Sequence, residues 1–456
     1  MSEDRTRRRV GVISLGCAKN LVDTEVMLGH LQEDGFELVT DPADADTIVV
    51  NTCGFIHDAR EESLQTILEA AELKKTGKLQ RLLVAGCMVQ RYPDQLKENL
   101  PEVDGYIDLD GLHTVTALAG GESSPTSDLP MAGSSQPVAA TYLYTDATPR
   151  LPATPGRSAY IKIAEGCDHS CSFCAIPGFR GGFRSRDPQS VVREARRLAA
   201  GGVREVNLIA QDSSHYGKDI GLDDGLAQLL IALDEVQALR WIRLHYLYPN
   251  TITQNLIETM AALPRVVNYV DLPLQHSHPA MLKRMRRGGS GEGHLKLLQR
   301  FRDAMDDPML RTTLIVGFPG ETDEEFEHLL EFVRAARFDH LGVFTYSHEE
   351  NTPAISMTDD VPQEIKEQRH DRLMACQQEI RFREHDSRLG QTWTVLVEGA
   401  HPETEHLLVG RGPGQAPDVD GQVLINDGVA APGDFVRVEL TERAGYDMVG
   451  RVLGPA

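Results

Sequence analysis

Apolar and polar positions follow two regimes along this chain. Up to about residue 350, short runs rich in Val, Ile and Leu are separated by longer stretches of helical period; beyond residue 390 the runs stay short and only turn residues separate them. Near the amino end, Val12-Ile13-Ser14-Leu15, Ile48-Val49-Val50 and Leu82-Leu83-Val84-Ala85 read as buried strands, spaced by helical patterns at 21–32, 60–74 and 93–99. That is the texture of a small doubly wound α/β domain. Six further strands are predicted at 159–164, 205–210, 241–246, 268–272, 311–316 and 341–346. Between the first two, Asp187-Pro188-Gln189-Ser190 opens a helix whose apolar side carries Val191, Val192, Ala195 and Leu198, and Gly201-Gly202 stops it. Repeated β-α alternation favours a parallel sheet covered by helices. A long helix is expected at 363–388. Five short strands at 392–398, 407–411, 421–426, 434–440 and 447–453 then suggest a small antiparallel β-barrel.

These patterns divide the chain into 8–120, a linker at 121–156, 157–388 and 389–456. The linker is drawn through a stretch rich in Gly, Ser, Pro and Ala, with one short strand near 141–144. At 456 residues and 41% hydrophobic composition, there is material for several packed cores. No signal segment or apolar span is visible, so a cytoplasmic protein with reduced thiols and no membrane contact is expected.

Seven cysteines then change the picture. Cys17, Cys53 and Cys87 each end a buried-strand pattern, as Leu15-Gly16-Cys17, Asn51-Thr52-Cys53 and Ala85-Gly86-Cys87. If those strands are parallel, all three thiols emerge at one edge of the sheet. A buried cysteine often packs as a small hydrophobe, which explains one such residue better than a matched set of three. Cys167, Cys171 and Cys174 lie in a single run with C-x3-C-x2-C spacing. Three thiolates leave a metal one ligand short, whereas structural zinc and electron-transfer iron–sulfur sites normally have four. A zinc site would have to recruit His169 or Cys376. Cys376 falls in the long helical pattern and is expected to serve packing.

The run Cys167-Asp168-His169-Ser170-Cys171-Ser172-Phe173-Cys174 resembles the cluster loop of the radical S-adenosylmethionine (SAM) enzymes, with Phe173 at the aromatic position. The resemblance implies an open (β/α)6 partial barrel. It also implies a [4Fe-4S] cluster on three cysteines, whose open iron chelates SAM and cleaves it to a 5′-deoxyadenosyl radical. Such a radical attacks C–H bonds that no side-chain base can deprotonate. In α/β folds, ligand groups gather after the strands, which singles out Gln211, then Gln275 and Ser277, then Gly317 as candidate SAM contacts beside Phe173 of the cluster loop. Gly317-Phe318-Pro319-Gly320 lacks a following Lys-Ser/Thr pair and is not a P-loop. After it, Phe326, Leu329, Leu330 and Val333 form a core stripe, with Glu324, Glu325 and Glu327 expected on the solvated face.

The segments around the first trio, Ser14-Leu15-Gly16-Cys17-Ala18-Lys19-Asn20, Asn51-Thr52-Cys53-Gly54-Phe55 and Ala85-Gly86-Cys87-Met88-Val89-Gln90-Arg91, resemble the amino-terminal domain of the methylthiotransferases. By that resemblance, Cys17, Cys53 and Cys87 hold an auxiliary [4Fe-4S] cluster that carries the sulfur to be transferred. One SAM methylates the sulfur and a second supplies the radical. An external electron donor and a sulfur donor are then required. The tail resembles a TRAM domain, a module that often contacts RNA.

Charge bears on the substrate. The chain has 46 basic and 68 acidic residues, a net charge of −22. Residues 386–456 hold eleven carboxylates against five arginines. Such a tail repels phosphate and favours a basic protein over RNA. The segments Gln211-Asp212-Ser213-Ser214-His215-Tyr216-Gly217 and Tyr346-Ser347-His348-Glu349-Glu350-Asn351 resemble the methylthiotransferase branch that modifies an aspartate of ribosomal protein S-twelve, free or in the small ribosomal subunit. The branch acting on an adenosine of transfer RNA is the runner-up. A zinc-stabilised binding module or an iron–sulfur electron carrier is the alternative of another class. Arg180, Arg184 and Arg186 are candidate receptors for a substrate carboxylate.

Overall fold

The computed structural model describes residues 8–121, 139–154 and 157–456. At the amino end, β1 (Arg9–Ser14), β2 (Glu37–Val39), β3 (Thr47–Thr52), β4 (Arg81–Gly86) and β5 (Gly105–Ile107) form one sheet in the order β2-β1-β3-β4-β5. Every pair is parallel. Central β3 is buried at every residue, as a parallel strand covered on both faces must be. The crossovers are α1 (Ala18–Glu33), α2 (His57–Lys75), the short α3 (Cys87–Arg91) and α4 (Pro93–Asn99), and α5 (Val115–Gly120). Ile67 of α2 packs on Ile48, Val50, Leu82 and Val84. The strand order reverses between β1 and β3, and open α/β sheets bind ligands at the carboxyl ends beside such a reversal.

Most of the expected linker, 122–138 and 155–156, lies outside the described residues. The described part is tied down. Backbone N–H groups of Thr141 and Tyr142 donate to Asp110 (2.7 and 2.6 Å), and the buried Arg150 pairs with the buried Glu25 of α1 at 2.5 Å. No strand forms at 141–144, because those N–H groups are turned to a side chain rather than to a neighbouring backbone.

The second sheet begins with β6 (Ser158–Lys162). The chain then makes an excursion through β7 (Ala164–Glu165), α6 (Ile176–Arg180) and β8 (Arg184–Ser185), with β7 and β8 antiparallel. It continues as α7 (Pro188–Ala200), β9 (Glu205–Ile209), α8 (Gly225–Asp234), β10 (Trp241–Leu244), α9 (Gln254–Ala262) and β11 (Tyr269–Asp271). Then come α10 (Pro279–Arg284), α11 (Gly291–Ala304), β12 (Met309–Val316), α12 (Asp323–Ala336) and β13 (His340–Thr345). The strands run in chain order as two parallel triplets, β6-β9-β10 and β11-β12-β13, joined by a bridge between Ile242 and Val266. β6 and β13 each have a ladder on one side only, the arrangement of an open (β/α)6 partial barrel. Asp187 caps α7 by accepting from the Ser190 N–H at 2.8 Å. The expected apolar stripe of α12 is buried, but Glu325 is buried with it rather than solvated, because it closes a capping box with Thr322 and pairs with Arg284.

The long helix α13 (Gln363–Ser387) leads to a closed barrel of β14 (Thr392–His401), β15 (Thr404–Arg411), β16 (Val423–Asp427), β17 (Phe435–Ala444) and β18 (Asp447–Pro455). Val395, Val423, Val438 and Leu440 fill it. The expected small barrel forms, antiparallel at four of its five pairings, with β16 and β18 parallel. Five strands cannot alternate direction all the way round a closed ring, so one like-directed pair is unavoidable. The loop after β15 enters the amino ends of the partial-barrel strands. Arg411 pairs with the buried Glu205, Arg243 donates to the Pro413 carbonyl at 2.7 Å, and the Tyr269 hydroxyl donates to Asp420 at 2.8 Å.

Two compact units result. One comprises Met1–Ala153, Ala164–Arg186 and Glu349–Ile355; the other comprises Thr154–Ile163, Asp187–His348 and Ser356–Ala456. Among the described residues no helix is long and apolar enough to cross a membrane.

Candidate metal centres and cofactor loops

β1, β3 and β4 end level with one another, with Ser14 beside Asn51 and Asn51 beside Ala85. Cys17 follows as the N-cap of α1, Cys53 directly after β3, and Cys87 as the first residue of α3. Glycines allow the three turns to converge. Gly16 (φ 86°) and Gly86 (φ 97°) are left-handed, and a Cβ on Gly16 would stand 2.9 Å from the Cys53 Cβ. A Cβ on Gly86 would stand 2.2 Å from Asn51 Oδ1. Side chains then lock the turns together: Asn20 Nδ2 donates to the Thr52 carbonyl (2.8 Å), and Arg91 Nη1 to the carbonyls of Gly54 (2.7 Å) and Phe55 (2.9 Å). Arg91 is itself buried and is neutralised by the buried Glu349, which also accepts from Arg60 and from the His57 N–H.

Burial pushes the Cys87 thiol up to about 12 and raises Cys53 as well; Arg180 pulls Cys87 back only in part, and the neighbouring cysteines push it further up. A soft cation that takes the proton's place reverses this, so the donor set suits thiolate-bound iron. It does not suit a single zinc ion. Tetrahedral Zn–S bonds of about 2.3 Å bring sulfurs within about 3.8 Å of each other. Among the described residues the one three-ligand group within 4.8 Å is His57, Asp58 and Glu61, all solvent-exposed.

The second trio sits in the loop between β7 and α6, in the same unit as the first. Gly166 (φ 79°) precedes Cys167, and a Cβ there would stand 2.0 Å from the Gly182 carbonyl oxygen. The loop is held by Cys167 N–H to Gly181 O (3.0 Å), Cys174 N–H to Cys171 O (3.2 Å) and Phe183 N–H to Asp168 Oδ1 (2.8 Å). The Ala354 N–H donates to the Ser172 carbonyl at 2.8 Å. Phe173 is half-buried; Ala175 and Phe179 pack with Cys87, Leu109 and Ala140. The structure thus brings all six cysteines into one unit, and the two loops share a core. None of the seven cysteines is in a disulfide. Cys376 is on α13, half-buried beside Arg334 and Arg383.

Gln211, Gln275, Ser277 and Gly317 all lie in the other unit, after β9, β11 and β12. Gln275 is held at φ 70° by backbone bonds to Thr313 O and from Ile315 N (both 2.8 Å), and strain of this kind clusters at ligand sites. Ser277 is less available than its position suggested: it is fully buried and its hydroxyl bonds His328 Nδ1 at 2.9 Å. The Gly317 N–H is likewise spent, at 2.5 Å on Glu321, a carboxylate that also pairs with the buried His276 and Arg369. Sequence reasoning missed this organising role of Glu321 and the left-handed Tyr246 (φ 60°) after β10. It also missed the clasp of Arg91 and Glu349, although Glu349 belongs to the polar run after the sixth strand, which was the available signal. All three arginines offered as carboxylate receptors have partners within the protein: Arg184 donates to the carbonyls of Gly182 (2.7 Å) and Arg180 (3.2 Å). Arg180 pairs with Glu165 (2.8 Å) and Asp23 (3.3 Å), and the buried Arg186 lies over the Tyr144 ring at 4.1 Å.

A parallel six-stranded partial barrel with a three-cysteine loop after its first strand defines a radical SAM protein, and residues 161–333 match the Radical SAM superfamily. Residues 9–108 match Uncharacterized protein family UPF0004 and residues 389–453 the TRAM domain. The chain is 47% identical to the ribosomal protein uS12 methylthiotransferase RimO of Anaeromyxobacter sp. (strain K), over 98% of this chain and 93% of that one. It is 45% identical to the protein of the same name from Geobacter sulfurreducens, over 98% and 99%. In fold it is similar to the radical SAM methyltransferase TsrM of Kitasatospora setae, with a TM-score of 0.55 at 16% identity, over 76% of this chain and 77% of that one. The chain belongs to the RimO family of radical SAM methylthiotransferases. Membership implies SAM and [4Fe-4S] chemistry.

Proposed function

We propose that this enzyme inserts a methylthio group at the β-carbon of an aspartate in ribosomal protein uS12, using two [4Fe-4S] clusters and two molecules of SAM. One cluster is held by Cys167, Cys171 and Cys174, the other by Cys17, Cys53 and Cys87. The observation that carries this reading is that two incomplete thiolate sets fold into one unit and share a packed core. When bound, the reduced cluster with SAM supplies hydrogen abstraction from an unactivated carbon, and the auxiliary cluster supplies sulfur.

The protein's own residues position and insulate. Gly16, Gly86 and Gly166 let the cysteine turns approach, and Asn20 and Arg91 fix the first trio. Gln211 and the strained Gln275 are the proposed SAM contacts; Ser277 and Gly317 shape the loops after β11 and β12, and Phe173 the Cys167 loop. Orientation of this kind is the main catalytic contribution a protein makes to a reaction run by cofactors.

Ion pairing in the tail supports a protein substrate. Of its five arginines, Arg388 pairs with Asp339, Arg411 with Glu205, Arg443 with Asp386 and Arg451 with Glu439. Among the described residues Arg437 alone is outside such a pair, so few cations are left to neutralise phosphate. The basic partner is uS12, free or in the small subunit, met in the cytoplasm; an external reductant and a sulfur donor complete the system. Anaerobic incubation of the reconstituted enzyme with SAM, reductant, uS12 and bulk tRNA, followed by mass spectrometry, tests the proposal. A methylthio mass gain on uS12 alone is expected; a gain on tRNA alone overturns the substrate assignment.

A further inference from the structure

Arg180 closes α6, six residues after Cys174, yet its guanidinium ends beside a cysteine of the other trio. It is 2% exposed. Nη1 donates to Glu165 Oε1 at 2.8 Å, on the strand that leads into Cys167. Nη2 lies 2.9 Å from Cys87 Sγ, 2.8 Å from Asn20 Oδ1 and 3.3 Å from Asp23 Oδ2. Asn20 and Asp23 are on α1, which Cys17 caps, and Asn20 reaches the Thr52 carbonyl next to Cys53. One side chain of the radical SAM loop thus touches the supports of the entire auxiliary trio and the sulfur of one member. Every element here lies within a single unit.

A purely structural arginine would be satisfied by Glu165 and Asp23. Its aim at sulfur asks for another explanation. The Cys87 thiol donates to Asn20 Oδ1 at 3.1 Å and accepts from Arg180. A Cys87 thiolate held by iron would have no proton to give Asn20, whereas its sulfur would still accept from the Arg180 N–H. Hydrogen bonds to cluster sulfurs are among the main controls on reduction potential, because they favour the more negative, reduced state.

We propose that Arg180 is a positioning residue that carries a hydrogen bond from the radical SAM loop to the Cys87 sulfur of the auxiliary site, and so sets the electron density there and ties the two sites mechanically. The inference rests on the reading of Cys17, Cys53 and Cys87 as cluster ligands. Lysine keeps the charge but cannot hold Glu165 and Cys87 at once; glutamine loses the charge as well.

The test uses the full-length chain with Cys167, Cys171 and Cys174 changed to Ala, so that any cluster present is the auxiliary one. After anaerobic reconstitution, iron content and midpoint potential are measured with Arg180 intact, then with Arg180→Lys and Arg180→Gln. We expect iron to be retained and the potential to move negative, further in Arg180→Gln than in Arg180→Lys. An unchanged potential with iron retained overturns the proposal. If Arg180→Gln does not fold by circular dichroism, Arg180→Lys decides. Absence of iron from the parent with Arg180 intact would instead reject the cluster reading itself. In the otherwise native enzyme, Arg180→Lys lowers methylthio transfer per SAM cleaved, whereas a loss confined to folding would lower both in proportion.

Discussion

The two cysteine trios reach similar ends by opposite routes. Cys167, Cys171 and Cys174 are neighbours in sequence, and a loop closed by β7 and β8 needs only local bonds to shape them. Cys17, Cys53 and Cys87 are brought together by a parallel sheet whose register makes three strands end level. The contiguous site depends on its own turn, whereas the dispersed one depends on a whole domain. Yet Gly16, Gly86 and Gly166 all precede cysteines and are all left-handed. In both designs the backbone must turn sharply just before the thiol, where another side chain would collide.

The sharpest way to break the comparison is to remove one ligand from each trio. Cys171→Ala should abolish both SAM cleavage and methylthiolation, whereas Cys53→Ala should keep SAM cleavage and lose transfer. Product analysis by liquid chromatography and mass spectrometry of uS12 separates the outcomes. Full methylthiolation by Cys53→Ala would end the division of labour between the trios. Reconstituted native protein should hold about eight iron atoms, and each variant fewer.

Smaller, but more specific, is the effect of the preceding glycines. Gly86→Ala places a Cβ 2.2 Å from Asn51 Oδ1, and Gly166→Ala places one 2.0 Å from a carbonyl oxygen, each in a left-handed conformation. A strained backbone of this kind costs on the order of 1–3 kcal/mol before the clash is counted. Gly77 is a control, since it is also left-handed (φ 83°) but a Cβ there meets nothing within 4 Å. Thermal melts should show a large drop for Gly86→Ala and Gly166→Ala and about 1 kcal/mol for Gly77→Ala. Iron loss should follow the affected trio only. Equal losses from both trios in Gly166→Ala would mean that the shared core, rather than the local turn, governs assembly.

What could be read from the sequence follows the same contrast. The contiguous trio needed only spacing, and the dispersed trio became visible because each of its cysteines ends an apolar run whose parallel pairing could be inferred. The alternation of apolar runs also carried the six strands and the α7 cap, since these are local properties of Asp187, Pro188 and Gly201. The parallel pair in the last barrel was not local: it follows from closure of five strands, which no run of residues encodes. Nor were the partners of buried charges. Arg180 looks like any loop arginine until Glu165 and Cys87 converge on it, and Ser277 looks available until His328 arrives from α12.

Glu349 tests how far the dispersed trio depends on remote support. It neutralises Arg91, which holds the carbonyls after Cys53 from a position four residues beyond Cys87. Removing one member of a buried ion pair typically costs about 3 kcal/mol or more, while a neutral isostere keeps part of the hydrogen bonding. Glu349→Gln should therefore lower the melting temperature and weaken iron retention at the auxiliary site against a chelator. SAM cleavage should fall less, because the local bonds of the Cys167 loop persist. A proportionate loss at both sites would show that the segment after β13 supports the two trios alike.

The smallest effect belongs to the cysteine outside both sets. Cys376 is half-buried on α13, its thiol raised by burial, with Arg334 pulling it partway back. It has neither a strand end nor a second thiol to work with. If ligation depends on trios positioned by strand ends or by a tight loop, Cys376→Ser should leave iron content, SAM cleavage and transfer unchanged, with a stability change within about 1 kcal/mol. Loss of iron on this substitution would mean that a thiol of α13 completes one of the sites, and the contrast between open and closed ligation would fail at its root.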